Sequence, residues 1–313
     1  MFMQPRLCVV MSTYNGVEYL PEQLESLLAQ SFGNVFIHIR DDGSTDNTQA
    51  IIASFADEHP NVTYEFGSNV GWKLSFVEAL KSCPGYDYYS FCDQDDVWLP
   101  DKLSAAVGML GSEPSSDVPM LYAGNVYVAN SVLEPLFKFN KEPERIIEKD
   151  LPHTLTADHM AGGLTYVFNA KAREMLIHFP FIGLTGHDRI LMLICKTYGI
   201  VRYDFDAYVL YRQHGTNVYG GFAAEDDGRS RLEHLKQYVA INDQRDKLCE
   251  GLLTLSERCP FTCSDSDQRF LRMTASYRTN TKNRRELLFR NSLGGDTWKH
   301  DMKLRIKVLH RTF

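Results

Sequence analysis

Three carboxylates fall within four residues at Asp93-Gln94-Asp95-Asp96, straight after an apolar run that ends at Cys92. Like charges held that close cost free energy unless solvent or a cation offsets them. Hard divalent ions take oxygen ligands, and magnesium usually shares one or two protein carboxylates with the phosphates of a substrate. The pattern therefore suits the handling of a metal-bound phosphate ester. A solvated turn or a helix cap is the competing reading, because an isolated D-x-D triplet is common.

Other polar residues stand at comparable places. Asp41-Asp42-Gly43-Ser44 is a turn cluster that also suits capping of the next helix. Asp188, in Gly186-His187-Asp188-Arg189, opens the apolar stretch Ile190 to Cys195, where a helix N-cap is the local reading. Arg212 carries a guanidinium, which matches phosphate geometry. His214 is a lone histidine, a type more often structural than a ligand.

Two common nucleotide motifs are missing. No G-x-G-x-x-G follows the first strand, which argues against a dinucleotide cofactor. The stretch from Gly67 to Lys73 has the wrong glycine spacing for a phosphate loop, and Leu74 stands where Ser or Thr would bind magnesium.

The elements that must position these residues alternate between strand and helix. Leu7 to Met11 is a continuous apolar run, the mark of a strand buried on both faces. Leu20, Leu24, Leu27 and Leu28 form one stripe of an amphipathic helix. A strand over Val35 to Arg40 leads to a helix carrying Ile51, Ile52 and Phe55. A third strand, Val62 to Phe66, precedes a helix around Leu74 to Leu80, and a fourth runs from Tyr86 to Cys92. Pro100 sits where the first turn of a further helix tolerates it. This progression implies an α/β fold with a mostly parallel sheet between helices. Ligands in such sheets bind beyond the carboxyl ends of the strands, where Ser12 to Gly16, Asp41 to Asp46 and Asp93 to Asp96 should converge.

Further strands are expected at Met120 to Val128, Leu164 to Phe168 and Ile200 to Tyr211. From Arg229 the pattern is mostly helical, with Leu232, Leu235, Tyr238 and Val239 on one stripe and a break at Ser264 to Ser266.

At 313 residues, 44% hydrophobic and 23% charged, the chain has an ordinary globular composition without repeats, and its net charge of −7 argues against a nucleic-acid binder. From Gln268 to Phe313 there are twelve Lys and Arg against three acids, a basic tail on an acidic body. No run approaches the roughly 18 apolar residues that span a bilayer. Met1 to Arg6 lacks the apolar core of a secretory signal. Seven scattered cysteines read as buried thiols, Cys259 and Cys263 included, and suit a reducing cytoplasm.

In order, Val10-Met11-Ser12-Thr13-Tyr14-Asn15-Gly16, Asp41-Asp42-Gly43-Ser44-Thr45-Asp46 and Asp93-Gln94-Asp95-Asp96-Val97-Trp98 resemble glycosyltransferase family 2. With Tyr211-Arg212-Gln213-His214 and the later Asn217-Val218, the chain is most similar to bacterial rhamnosyltransferases that build cell-wall rhamnans and related polysaccharides. The resemblance covers roughly residues 6 to 220.

The resemblance implies a GT-A fold and an inverting transferase. Thr13 and Tyr14 would pack around base and ribose, with Asp41 of the Asp41-Asp42 pair bonding a pyrimidine. Asp95 would ligate a divalent ion, Mn2+ or Mg2+, on the diphosphate; Asp93 would face the ribose or a metal-bound water. Asp188 would be the catalytic base with His187 behind it, and His214 a further metal ligand. Gly162 and Gly163, after Ala161, would let the backbone approach the acceptor sugar.

The donor expected is dTDP-L-rhamnose, or else a UDP-hexose, and the acceptor a growing, lipid-linked glycan. Residues 1–225 would form the catalytic domain, with a nucleotide half to about 115 and an acceptor half from about 116. Residues 226–313 would form a helical, basic appendage.

In that appendage Lys299, Lys303, Arg305, Lys307 and Arg311 interleave with Trp298, Met302, Leu304, Ile306, Val308 and Leu309. This pattern suits an interfacial helix on anionic lipid of the inner membrane face, or one packed on the catalytic domain or on a second subunit. A sugar nucleotidyltransferase is the rival enzyme, but Ser12-Thr13-Tyr14-Asn15 lacks its G-x-G-x-R loop. The set Asp93, Asp95, Asp188 and His214 argues against a non-catalytic glycan-binding module.

Overall fold

The computed structural model describes residues 4–113, 117–140, 151, 155, 162–214, 241, 243–258, 263–295 and 297–313. Ala161, Asn217, Val218, Leu232, Leu235, Tyr238, Val239 and Cys259, singled out above, lie outside them.

The first half alternates as its sequence pattern demands: β1 (Leu7–Thr13), α1 (Leu20–Leu28), β2 (Val35–Asp41), α2 (Thr48–Glu58), β3 (Val62–Phe66), α3 (Trp72–Ser82) and β4 (Tyr88–Cys92). Leu7, Val9 and Met11 enter one apolar core and Cys8 and Val10 the other, so β1 is covered on both faces. Next come β5 (Val97–Trp98), α4 (Lys102–Gly111), β6 (Met120–Ala129), β7 (Pro135–Lys138), β8 (Val167–Asn169), α5 (Ala170–Ile177), α6 (His187–Tyr198) and β9 (Ile200–Arg212). Residues Gly163–Thr165 form one 3₁₀ turn before β8.

These strands make a mixed sheet in the order β3-β2-β1-β4-β8-β6-β9-β5, with β7 paired to β6. The pairs β1–β2, β1–β4 and β2–β3 are parallel. Strand β8 is antiparallel to β4 and β6, and β5 to β9. The chain leaves β1 toward β2 and β3 and then crosses back to β4, which opens a crevice at the carboxyl ends of β1 and β4. Register aligns Thr13 with Asp41 and Met11 with Cys92, so all three polar clusters leave the sheet at one edge. Val97 opposite Leu210 carries Asp95 and Asp96 up against Arg212 and His214.

Some local expectations shift. The Asp41 to Ser44 cluster folds on itself instead of capping α2, and Asp46 accepts from the Thr48 N–H at 2.9 Å. Pro100 lies just before α4, in the turn ahead of it. The N-cap of α6 is Gly186, not Asp188, because Asp188 already stands in the first helical turn.

Four helices complete the described chain: α7 (Arg245–Arg258), α8 (Asp265–Ser276), α9 (Thr281–Leu288) and α10 (Trp298–His310). Ser264 caps α8 by accepting from the Asp267 N–H. None of the described helices is long and apolar enough to cross a membrane. In α10 two of the five tail cations turn inward: Lys307 is 2% exposed and bonds Asp243 at 2.5 Å, and Arg305 pairs with Asp301 at 2.7 Å.

Leu248, Leu252, Phe270 and Leu304 of these helices share one core with Ile190, Leu191 and Ile194 of α6. The Tyr198 hydroxyl donates to the Leu252 carbonyl at 2.6 Å across the same seam. Each such apolar side chain contributes about 1.5–3 kcal/mol on burial. Four of them match a whole domain's net stability of about 5–15 kcal/mol. A chain ending at residue 240 should therefore fail to fold cooperatively. Far-UV CD and urea melts check this, and a sharp, native-like transition in the shortened chain would show the helices to be dispensable.

Candidate active site

The loop after β4 meets the end of β9 through side chains and backbone together. His214 Nε2 lies 2.9 Å from Asp95 Oδ2, with the two side chains 10% and 20% exposed. Tyr19, at the entrance to α1, packs its ring 4.7 Å from that of His214, and the Arg212 guanidinium lies 4.7 Å from the Tyr19 ring centre.

Arg212, expected to meet a diphosphate, is placed among partners within the protein. It is 3% exposed; Nε donates to the Asp95 carbonyl at 2.8 Å, Nη1 to the Ser131 carbonyl at 2.8 Å and Nη2 to Glu22 at 2.5 Å. Its own N–H donates to Asp96 Oδ1 at 3.1 Å. Arg212 thus fastens the acidic loop to β9.

The acids crowd one another. Burial, then the charges of Asp95 and Asp188, push the Asp93 carboxyl up to about 7. Asp96, fully buried, is raised well above the carboxylate range by burial and by Asp95 and Asp93. Lys102 lies on the same loop's buried side, its ammonium 3.0 Å from Ser90 Oγ and 3.4 Å from the Trp98 ring centre.

A divalent ion fits this donor set. Asp95 and His214 bring one oxygen and one nitrogen together, and a cation would offset the repulsion written into Asp93. Among the described residues no three such side chains gather into a closed cage. An ion held there would need further ligands, such as the substrate phosphates that magnesium usually shares with one or two protein carboxylates.

Across the crevice, Asp188 is half-buried at the start of α6. The Arg189 N–H donates to its Oδ1 at 2.8 Å and the Gly163 N–H to its Oδ2 at 3.2 Å. Gly162 and Gly163 therefore cradle this carboxylate: a Cβ on Gly162 would stand 3.1 Å from Asp188 Oδ2, and one on Gly163 3.0 Å from Asp188 Cβ. A Cβ on Gly186 would collide with Asp188 Oδ1.

Of the residues expected at base and ribose, only Tyr14 is exposed, at 46%. Thr13, Asp41 and Asp42 are buried. Asp41 accepts from Thr13 Oγ1 at 3.0 Å, Ser44 N at 2.9 Å, Ser44 Oγ at 2.5 Å and Gln49 Nε2 at 2.7 Å. Burial raises its carboxyl, and these hydrogen bonds outweigh burial, leaving it below the usual range. A base reaching Asp41 must take the place of one of these donors. Asp42 binds Arg40 at 2.6 Å and the N–H groups of Val70 and Gly71 at 3.0 and 2.9 Å.

Sequence reasoning passed over Gln94. Its amide oxygen accepts from the Tyr14 N–H at 2.8 Å and its NH₂ donates to the Tyr14 carbonyl at 3.1 Å, locking the β1 loop to the acidic loop. Gly16 is the partner signal, because a Cβ there would strike the Gln94 amide.

His187 is 4% exposed beneath Asp188, its ring centre 4.3 Å from that of Phe76 and 4.4 Å from that of Phe91. Among the described residues its Nδ1 has no hydrogen-bond partner. Burial lowers its pKa to about 4 from an ordinary value of 6.5. The folded protein then refuses a proton that the unfolded chain accepts. His187 should cost nothing above pH 6.5 and up to about 3 kcal/mol as pH falls to 4. His187→Phe should remove that loss. Urea midpoints of both proteins across this window test it, and parallel acid limbs would contradict it.

The profile described as glycosyl transferase family 2 matches residues 8–169. The dTDP-rhamnosyl transferase RfbG of Shigella flexneri is 29% identical over 231 residues, covering 67% of this chain and 73% of that protein. An uncharacterized glycosyltransferase of Rickettsia typhi is 30% identical over 120 residues, 38% of this chain and 36% of its own length. Among solved structures, S. aureus TarS residues 1–349 superposes with a TM-score of 0.56 at 17% identity, over 92% of this chain and 76% of that one. The same protein in complex with UDP-GlcNAc gives 0.53 at 17% identity, over 98% and 91%. The sheet and its flanking helices are of the GT-A type, and the chain belongs to glycosyl transferase family 2 and is a glycosyltransferase.

Proposed function

We propose that this enzyme moves an L-rhamnosyl group from dTDP-L-rhamnose to a hydroxyl of a growing, lipid-linked cell-surface polysaccharide, with inversion. The observation that carries the reading is the 2.9 Å approach of Asp95 and His214 from strand ends 119 residues apart. The choice of rhamnose leans on the 29% identity to RfbG, a dTDP-rhamnosyl transferase.

Asp188 accepts the proton of the acceptor hydroxyl while its oxygen forms a bond to the anomeric carbon. The bond from that carbon to the diphosphate oxygen breaks on the opposite face, and dTDP leaves with the electron pair. Two backbone N–H groups, of Arg189 and Gly163, hold the Asp188 carboxylate in one orientation. A divalent ion at Asp95 and His214, with Asp93 close by, would supply positive charge to the leaving diphosphate. Tyr14 offers an exposed ring beside the nucleotide, and Gln94 fixes the backbone that carries it.

General-base catalysis contributes about 10²–10⁴-fold, so Asp188→Asn should lower turnover by that much with an unchanged thermal melt. Gly186→Ala displaces the same carboxylate without removing it and should cost about 10²-fold. Wild-type turnover in purified Asp188→Asn would remove the base role. For the donor, release of nucleoside diphosphate is measured with Mn2+ and dTDP-L-rhamnose, UDP-glucose or UDP-galactose. Preference for dTDP-L-rhamnose supports the assignment; preference for a UDP-hexose replaces the donor and leaves the transfer mechanism standing.

A further inference from the structure

Helix α10 carries two sets of apolar side chains, and among the described residues only one of them packs into the core. Leu304 and Val308 enter the core, flanked by the buried Asp301 and Lys307. On the far side Trp298, Met302 and Leu309 are 76%, 39% and 59% exposed, at positions i, i+4 and i+11 of one stripe. Large apolar side chains scattered singly need no explanation, but a contiguous stripe marks an interaction surface.

Arg305 borders that stripe and donates to the carbonyls of Leu288 and Arg290, which anchors the intervening Phe289 beside the helix. Phe289 is 81% exposed. Lys299 and Lys303, also exposed, line the other edge of the stripe.

The surroundings choose the occupant. Residues from Gln268 to Phe313 hold twelve Lys and Arg against three acids, while the whole chain carries −7; Arg305 and Lys307 are turned inward onto Asp301 and Asp243, and the excess of cations over acids remains without them. An anionic plane would attract this end and repel the rest. A symmetric pairing of two copies through the stripe would instead set one basic face against another, which costs free energy.

We infer that this face docks the enzyme on an anionic lipid bilayer. Trp298, Met302, Leu309 and Phe289 enter the boundary between headgroups and acyl chains, and Lys299 and Lys303 meet headgroup phosphates. The inference does not depend on the identity of donor or acceptor.

The test is co-sedimentation of the full chain with vesicles of phosphatidylcholine alone and of an equimolar mixture with phosphatidylglycerol. Binding should appear with the mixture, weaken with salt, and fall about fivefold for each of Lys299→Gln and Lys303→Gln. The combined Trp298→Ser, Met302→Ser and Leu309→Ser variant should lose more than about tenfold while keeping the wild-type melt. Equal binding to both vesicle types, or undiminished binding of the serine variant, overturns the inference. So does a concentration-dependent dimer that the serine substitutions dissociate without any vesicle binding, which would assign the face to a second copy.

Discussion

Repulsion among carboxylates at the edge of the sheet is the constraint around which the site is built. Two unit charges about 4 Å apart near a protein surface interact by about 4 kcal/mol, a large share of a domain's net stability. Asp93, Asp95 and Asp96 leave β4 together, and the charge of Asp188 reaches Asp93 from α6. Such a cluster persists where the fold holds it from several sides and burial pushes the Asp93 and Asp96 carboxyls up toward their neutral form.

The holding is done mostly by groups without catalytic chemistry. Arg212 takes the Asp95 carbonyl, Asp96 and Glu22 at once, so the acidic loop cannot relax away from β9. Gln94 ties the same loop to the backbone of Tyr14. Asp41 and Asp42 draw the β2 edge to Ser44, Gln49, Val70 and Gly71, and so set the wall of the crevice. The helices from Arg245 onward back α6 with a shared core, which fixes the floor beneath Asp188.

Much of this was legible in the sequence, for identifiable reasons. The apolar run in β1 and the leucine stripe of α1 report burial directly, because period and face are properties of the local chain. Acidic clusters at strand ends reveal where a crevice lies, because parallel strands deliver their carboxyl ends to one edge. Partnerships were less legible. Nothing local shows that the Arg212 guanidinium is taken by Asp95, Ser131 and Glu22, residues between 81 and 190 positions away. Nor does the sequence show that His187 lies among Phe76 and Phe91, with Nδ1 unpaired among the described residues. The glycines at 162 and 163 read as an approach to a sugar, and the sequence did not show that they also make room for Asp188.

On the proposed function, Asp95 and His214 would hold one ion between protein and diphosphate. A double-mutant cycle on Mn2+-dependent binding of a thymidine diphosphate, followed by calorimetry, addresses it most directly. Asp95→Ala and His214→Ala should each weaken binding, and the double variant should be little weaker than either, because both substitutions remove the same ion; residues sharing a partner couple by about 0.5–3 kcal/mol. Losses that simply add, or a His214→Ala enzyme with the wild-type dependence on Mn2+, would contradict the account.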